Sequence, residues 1–421
     1  MIPHLQSNTA PNNLLLTVSR FIWLSPTDAR YSCPVSIHRH RPFTLLWRSA
    51  FQHPLACTLG LVSLISSSLA GTFSISENVE EVLKFTLAPA AITASSNGDW
   101  LVALDQREKP NLRAARILRS GEVIPFPDEW MSTASSEARL PLDSLEAIAV
   151  GQDGIVWMLD NGRRSETTPK LVGWNIDKER LHRVVYLSPP AVIPSSFCTD
   201  LVLDPSAPFA YLADPANGQD AAIIVADLES GLCRRVLQGI PCVQPDPSVA
   251  LPISALSERS TVRLDGTTTI TQCGVDSLAI DRRGEWLYLS ALQSRTLQRL
   301  PAKLLRNAKS SAPDLAKAIE HYATKPPSVS IAIDSKGNLY LGDSANRGIG
   351  IIDPKNKSYQ LLVSDARLLW PDSLTFGQDG RLYFFSPNRP LPKLGDKASG
   401  NAKPSYSLFR TRTPASGRSG D

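Results

Sequence analysis

Four acidic residues occupy equivalent places in a recurring motif, and they are the side chains of this sequence best able to act together. They are Glu146, Asp200, Asp276 and Asp372, each near the start of an apolar run: Leu145-Glu146-Ala147-Ile148, Thr199-Asp200-Leu201-Val202, Val275-Asp276-Ser277-Leu278 and Pro371-Asp372-Ser373-Leu374. Two further copies of the run carry Ala91 and Ser330 at that place. Carboxylates gathered round one axis repel, and each raises the pKa of the others unless a cation neutralises them. Two chemistries answer that condition. Glu146, Asp200, Asp276 and Asp372 could hold a divalent cation such as Ca²⁺, with carbonyls completing the shell. Alternatively, Glu146, Asp200 and Ser330 could bind a cationic aromatic amine while Asp276 or Asp372 moves a proton. Asp160-Asn161, at the end of another strand, would offer a carboxylate and an amide to the same mouth, although Asn161-Gly162 is also a strong turn signal. Trp370, just before Pro371-Asp372, is a candidate stacking surface. The acids also have a purely structural reading, in which each accepts hydrogen bonds from backbone amides of a neighbouring unit.

The elements that must position these residues come from a repeat. After each of the six runs, a short turn leads to a second hydrophobic run that ends in a small or acidic residue: Asn97–Asp105, Asp153–Asp160, Pro208–Asp214, Gly284–Ser290, Gly337–Asp343 and Asp379–Ser386. Five turns contain Gly; the third uses Pro208. Copies recur roughly every 45 to 75 residues, as in propeller blades. Third strands follow at 170–175, 222–227, 296–300 and 350–353, and fourth strands at 181–186 and 358–363. Four antiparallel strands per unit, six times over, predict an all-β, six-bladed β-propeller spanning 75–410. Its inner strands line the axis, and their first residues face the channel mouth. Residues 240–270, rich in Pro and then Ser/Thr, read as a long loop. Residues 302–323 read as a short helical insertion between blades, and 411–421 as a disordered tail.

Composition narrows the function. The net charge of +4 comes from the leader: residues 1–70 hold five Arg and one acid, Asp28, leaving 39 basic and 39 acidic residues. That neutral body gives no electrostatic reason to expect nucleic acid. No Gly-rich loop links a strand to a helix, which argues against a nucleotide. His182 and His321 lie outside the motifs, so a Ser-His-Asp triad has little support. Pro54–Leu69 is apolar and uncharged, follows Arg39, Arg41 and Arg48, and ends near Ser68-Leu69-Ala70, as in a signal peptide. The protein is therefore expected to be secreted or periplasmic, touching a membrane only through this segment if it stays uncleaved. Four cysteines remain after it; Cys198–Cys273 and Cys233–Cys242 are the expected disulfides, with four buried thiols as the alternative.

Several ordered motifs resemble the major royal jelly protein and yellow family between about Phe85 and Phe409. Pro169-Lys170-Leu171-Val172 is similar to its PKLL element, Ser195–Asp204 to SSFLNDLVVD and Phe209–Asp214 to FAYIADS. Gly274–Ala279 with Leu287–Ser290 is similar to GVDGIALSPDG…LYYS, although Ser277 replaces a Gly and Cys198-Thr199 replaces Leu-Asn. The resemblance implies six blades. It also implies a small organic ligand at the channel mouth (an aromatic amine or quinone) and, for an enzyme, tautomerisation of a dopachrome-like compound. Pro371-Asp372-Ser373 further resembles the PDG metal element of gluconolactonase-type propellers, departing at Ser373. Rival expectations are thus a metal-dependent lactonase acting on a lactone, and an amine carrier without catalysis.

Overall fold

Runs of Val, Ile, Leu and aromatic residues between turns favour short strands, and the turns fold them into antiparallel pairs. The computed structural model describes residues 79–106, 110–133, 140–250, 260–262, 268–270, 273–388 and 405–418. The leader and signal segment therefore lie outside the described residues. Among those described, no helix is long and apolar enough to cross a membrane.

Six four-stranded antiparallel sheets make six blades. Blade 1 comprises Pro89–Ala94, Trp100–Leu104, Ala114–Ile117 and Val123–Pro125. Blade 2 comprises Leu145–Val150, Ile155–Asp160, Lys170–Asn175 and Arg180–Tyr186. Blade 3 comprises Asp200–Leu203, Phe209–Asp214, Ala222–Asp227 and Cys233–Val236. Blade 4 comprises Val275–Ile280, Trp286–Ala291, Thr296–Pro301 and Glu320–Thr324. Blade 5 comprises Ile331–Ile333, Leu339–Asp343, Gly348–Ile352 and Tyr359–Ser364. Blade 6 comprises Asp372–Phe376, Leu382–Pro387 and Tyr406–Thr411, and its outer strand is Glu80–Phe85 from the start of the propeller. First and last strands thus pair, Phe85 opposite Tyr406, and close the ring.

The repeat turns have a common chemistry. Their Gly residues sit at positive φ, 83° at Gly98 and 66° at Gly284, where an L side chain is strained. An Asp before the turn caps it: Asp281 Oδ1 accepts from Arg283 and Glu285 N–H, and Asp334 Oδ1 from Lys336 and Asn338 N–H. In two blades the second oxygen receives the tyrosine of the next strand, Tyr211 on Asp204 at 2.7 Å and Tyr340 on Asp334 at 2.8 Å.

The core is a ring of separate clusters rather than one centre. Each cluster fills the wedge between two successive blades, as Leu159 and Leu171 of blade 2 meet Leu212 and Ile224 of blade 3. The ring-closing wedge joins Phe85, Phe385 and Leu408 of blade 6 to Ile92 and Val102 of blade 1. Fully burying each such side chain stabilises by about 1.5–3 kcal/mol, so every blade is held by both neighbours.

Three expectations change. The helical insertion is two short helices, α1 (Ala302–Arg306) and α2 (Ala312–Lys317), and it lies inside blade 4, because Glu320–Thr324 returns to pair with Thr296–Pro301. The second helix starts at a Ser311–Asp314 capping box. Residues 411–418 are not a loose tail: Ala415 is buried and Ser335 N–H donates to Ser416 O at 3.1 Å. The 240–270 loop contains a hairpin, Ser260–Val262 with Thr268–Ile270.

Candidate functional site

The inner strands meet at one end of the axis in a cavity of ≈ 480 Å³, walled by Glu146, Asp200, Asp276, Ser330, Asp372 and Trp370. Ala91 of blade 1 lines it too, so the start of every inner strand faces the same space, although Ala91 and Asp200 pair with their second strands and so stand one step further along than Glu146 and Asp276. Local backbone irregularity helps to aim them. The register with the second strand skips Glu146 in blade 2 and Asp276 in blade 4, and it shifts again between Asp372 and Thr375. A bulge bends its strand and redirects the extra side chain. Phe197, Phe385 and Tyr406 add aromatic surface to the wall. Trp370 is largely buried and packs with Cys273, Leu292 and Val329, so it presents an edge of the wall rather than an open stacking face.

Asp200 does both of the things expected of such an acid. It borders the cavity, and it bonds the adjacent blade: Oδ1 accepts the N–H of Leu201 and Oδ2 that of Leu278, each at 2.8 Å. Burial, partly offset by these two bonds and reinforced by the Asp276 charge, pushes its carboxyl up to about 6. Ser330 repeats the pattern, its Oγ accepting Leu374 N–H of blade 6 at 3.0 Å. Its hydroxyl proton remains available as a donor. Asp372 Oδ1 accepts the N–H of Ser373 at 2.6 Å.

Two cations near these acids carried no signal in the repeat. Lys325 is buried behind blade 4, and its ammonium donates to the carbonyls of Ser294 at 3.0 Å and Pro326 at 3.1 Å. Burial pulls it down to about 7, against the pull of the Asp276 carboxylate. Arg163 lines the cavity itself, as does Asp105. Proximity to Asn161-Gly162 was the one hint that Arg163 sits at the mouth.

Asp160 and Asn161 do not belong to the cavity wall. Asp160 is fully buried, pairs with Lys170 at 2.8 Å and accepts the N–H groups of Asp143, Ser144 and Gly162. A carboxylate so surrounded is spent on structure. Asn161 Oδ1 accepts Arg163 N–H at 3.1 Å, so the turn reading is the one realised. The two disulfides are absent as well, since Cys198, Cys233, Cys242 and Cys273 are free thiols. Cys233 packs against the wedge between blades 2 and 3 and Cys242 against the next wedge, while Cys198 and Cys273 belong to different clusters. Among the described residues, no three His, Cys, Asp or Glu side chains converge as a metal-holding group. The four acids ring the mouth without closing on one point, so their arrangement does not fit the expected Ca²⁺ site.

Similarity to known proteins bears on the fold and the family. No curated protein sequence matches the chain. Among solved structures it is similar to a luciferin-regenerating enzyme, with 10% identity over 81% of this chain and 97% of that one and a TM-score of 0.49. It is also similar to a gluconolactonase from Xanthomonas campestris (11% identity, 78% and 90% covered, TM-score 0.44) and to virginiamycin B lyase from Staphylococcus aureus (13%, 79% and 98%, TM-score 0.43). The family model described as major royal jelly protein matches residues 144–400, which run from the inner strand of blade 2 into blade 6. With more than half its length matched in this way, the chain belongs to the major royal jelly protein family.

Proposed function

We propose that this protein binds a small cationic aromatic compound, an amine or an aminoquinone, in the acidic cavity, and that it acts on the bound compound as a tautomerase of the dopachrome type. The observation that carries the reading is the gathering of Glu146, Asp200, Asp276 and Asp372 around one cavity with aromatic walls. Repulsion such as that of Asp276 on Asp200 is relieved by a bound cation, and Phe197, Phe385 and Tyr406 contribute apolar lining beside it. A cavity of ≈ 480 Å³ lies in the range of small-molecule sites.

The chemistry is an internal proton shift and needs no redox partner. Asp276 or Asp372, as carboxylate, takes a C–H proton adjacent to the substrate carbonyl. The electron pair moves to the carbonyl oxygen, which the Ser330 hydroxyl stabilises by donation while its Oγ holds Leu374 N–H. Return of the proton at another position gives the isomer. Asp200 is the weaker candidate for base, because both its oxygens already accept backbone amides. The metal-assisted lactone hydrolysis considered above draws no support from the carboxylate arrangement.

Calorimetric titration with dopamine, together with the loss of dopachrome absorbance on mixing with enzyme, tests the proposal. Dopamine heat with no turnover leaves a carrier; neither signal, or activity that a chelator abolishes, rejects the reading.

A further inference from the structure

The loop after the second strand of blade 2 brings a cation to the mouth of the acidic cavity. Arg163 is, among the described residues, the one Lys or Arg that lines it, against the acids Asp105, Glu146, Asp200, Asp276 and Asp372. Its side chain is exposed rather than locked in an ion pair. Nη2 donates to Pro194 O at 3.2 Å and to Ser196 O, and among the described residues the guanidinium meets no carboxylate. A guanidinium carries five N–H donors in a planar fork. Two carbonyls on one nitrogen set the plane and leave the donors of Nη1 and Nε without a partner among the described residues.

The loop that carries Arg163 is held at every step. Asp160 Oδ1 accepts Gly162 N–H at 3.0 Å, and Asn161 Oδ1 accepts Arg163 N–H at 3.1 Å. Asp143 Oδ2 accepts the N–H groups of Arg164 at 3.0 Å and Ser165 at 2.9 Å. Thr167 N–H closes the turn on Gly162 O at 2.9 Å. The backbone at Gly162 has φ 68°, and a Cβ there would lie 2.1 Å from Thr167 O, so only Gly permits the turn. The Asp160-Asn161-Gly162 motif therefore positions Arg163 instead of touching the ligand, and a positioned fork loses little freedom when it binds.

We propose that Arg163 reads a carboxylate on the ligand, so that the cavity prefers zwitterionic aromatic amino acids to the corresponding decarboxylated amines. The inference rests on the cavity being a cation site, as proposed above. An ammonium among the acids and a carboxylate on Arg163 leave the bound molecule neutral overall. A phosphate would instead bring two negative charges into a ring of acids that repels them.

The test is calorimetric titration of the full chain with L-tryptophan, L-tryptophan methyl ester and tryptamine. The wild-type protein is expected to bind the free amino acid about tenfold more tightly than its ester, as charge-assisted hydrogen bonds to a carboxylate allow. Arg163→Gln is expected to erase that preference while tryptamine affinity holds or rises, since a like charge leaves the cavity, and Arg163→Lys to keep part of it because the charge survives without the fork. Thermal melts of both variants establish that the exposed substitution leaves the fold intact. Equal affinity for acid and ester, or a preference that survives Arg163→Gln, overturns the role of Arg163 and leaves the cation site standing. Failure of all three compounds to bind overturns both.

Discussion

Ser373 Oγ accepts the N–H of Ile92 at 2.8 Å and so ties blade 6 to blade 1, across 281 residues of sequence. Ser373 holds this bond from a backbone φ of 52°, a region that costs a non-Gly residue free energy. The serine thus carries strain and repays it with an acceptor that a Gly could not supply. Ser373→Ala should keep the strain and lose the bond, costing about 1–3 kcal/mol for the orphaned amide. Ser373→Gly should lose the bond but release the strain, and come out less destabilised than Ser373→Ala. Urea unfolding of the two variants checks the order.

Asp200 should matter to stability as well as to binding. Asp200→Ala removes the acceptor of both Leu201 and Leu278 N–H, a loss of about 2 kcal/mol or more. Asp200→Asn keeps one acceptor and should lose about half of that. The folded pKa of about 6 lies above the usual 3.8, so the native state holds this proton more tightly than the unfolded chain. Its contribution is therefore full below about pH 4 and is lost as pH rises through 6. Unfolding free energies measured from pH 4 to 7 should show that decline in wild type and a flatter profile in Asp200→Asn.

Asp276→Asn and Asp372→Asn each remove one negative charge from the cavity at nearly constant shape. Each should weaken dopamine binding about tenfold, a typical charge-assisted contribution. Whichever residue is the base should also lose about two orders of magnitude or more in dopachrome turnover when replaced. Parallel titration and turnover measurements separate the two effects; unchanged binding in both variants would remove the acids from the site.

Lys170 and Asp160 form a buried pair whose members are 1% and 0% exposed. Lys170→Met strands the carboxylate and should cost about 3–5 kcal/mol. Because Asp160 also holds Gly162 N–H, the same variant should loosen the loop of Arg163. Hydrogen exchange at residues 162–167 is expected to rise well beyond that of the blade strands.

The acid ring was legible in the sequence because the starts of the inner strands become neighbours round an axis, so Glu146, Asp200, Asp276, Ser330 and Asp372 needed only the blade count to be brought together; the bulges that set Asp200 one step further along its strand than Glu146 and Asp276 were not legible. Arg163 and Lys325 were not, since neither sits at a repeated position and their approach to the cavity depends on the paths of single loops. Asp160 was misleading for a related reason. A carboxylate ending a strand near the mouth looks the same in sequence whether it faces the cavity or, as here, a buried lysine.

The six-fold recurrence of paired apolar runs, with Gly or Asp at the turns, was enough to set a six-bladed propeller and to bring the start of each inner strand to the channel mouth. These are local properties of period and turn geometry. Tertiary structure alone decided that Glu80–Phe85 joins Tyr406–Thr411 to shut the ring, that the helices fall within blade 4, and that the cysteines stay apart. It also decided which acids bond a neighbouring blade. Each of those outcomes turns on how segments distant in sequence approach one another, which depends on packing between blades and has no signature in any one of them.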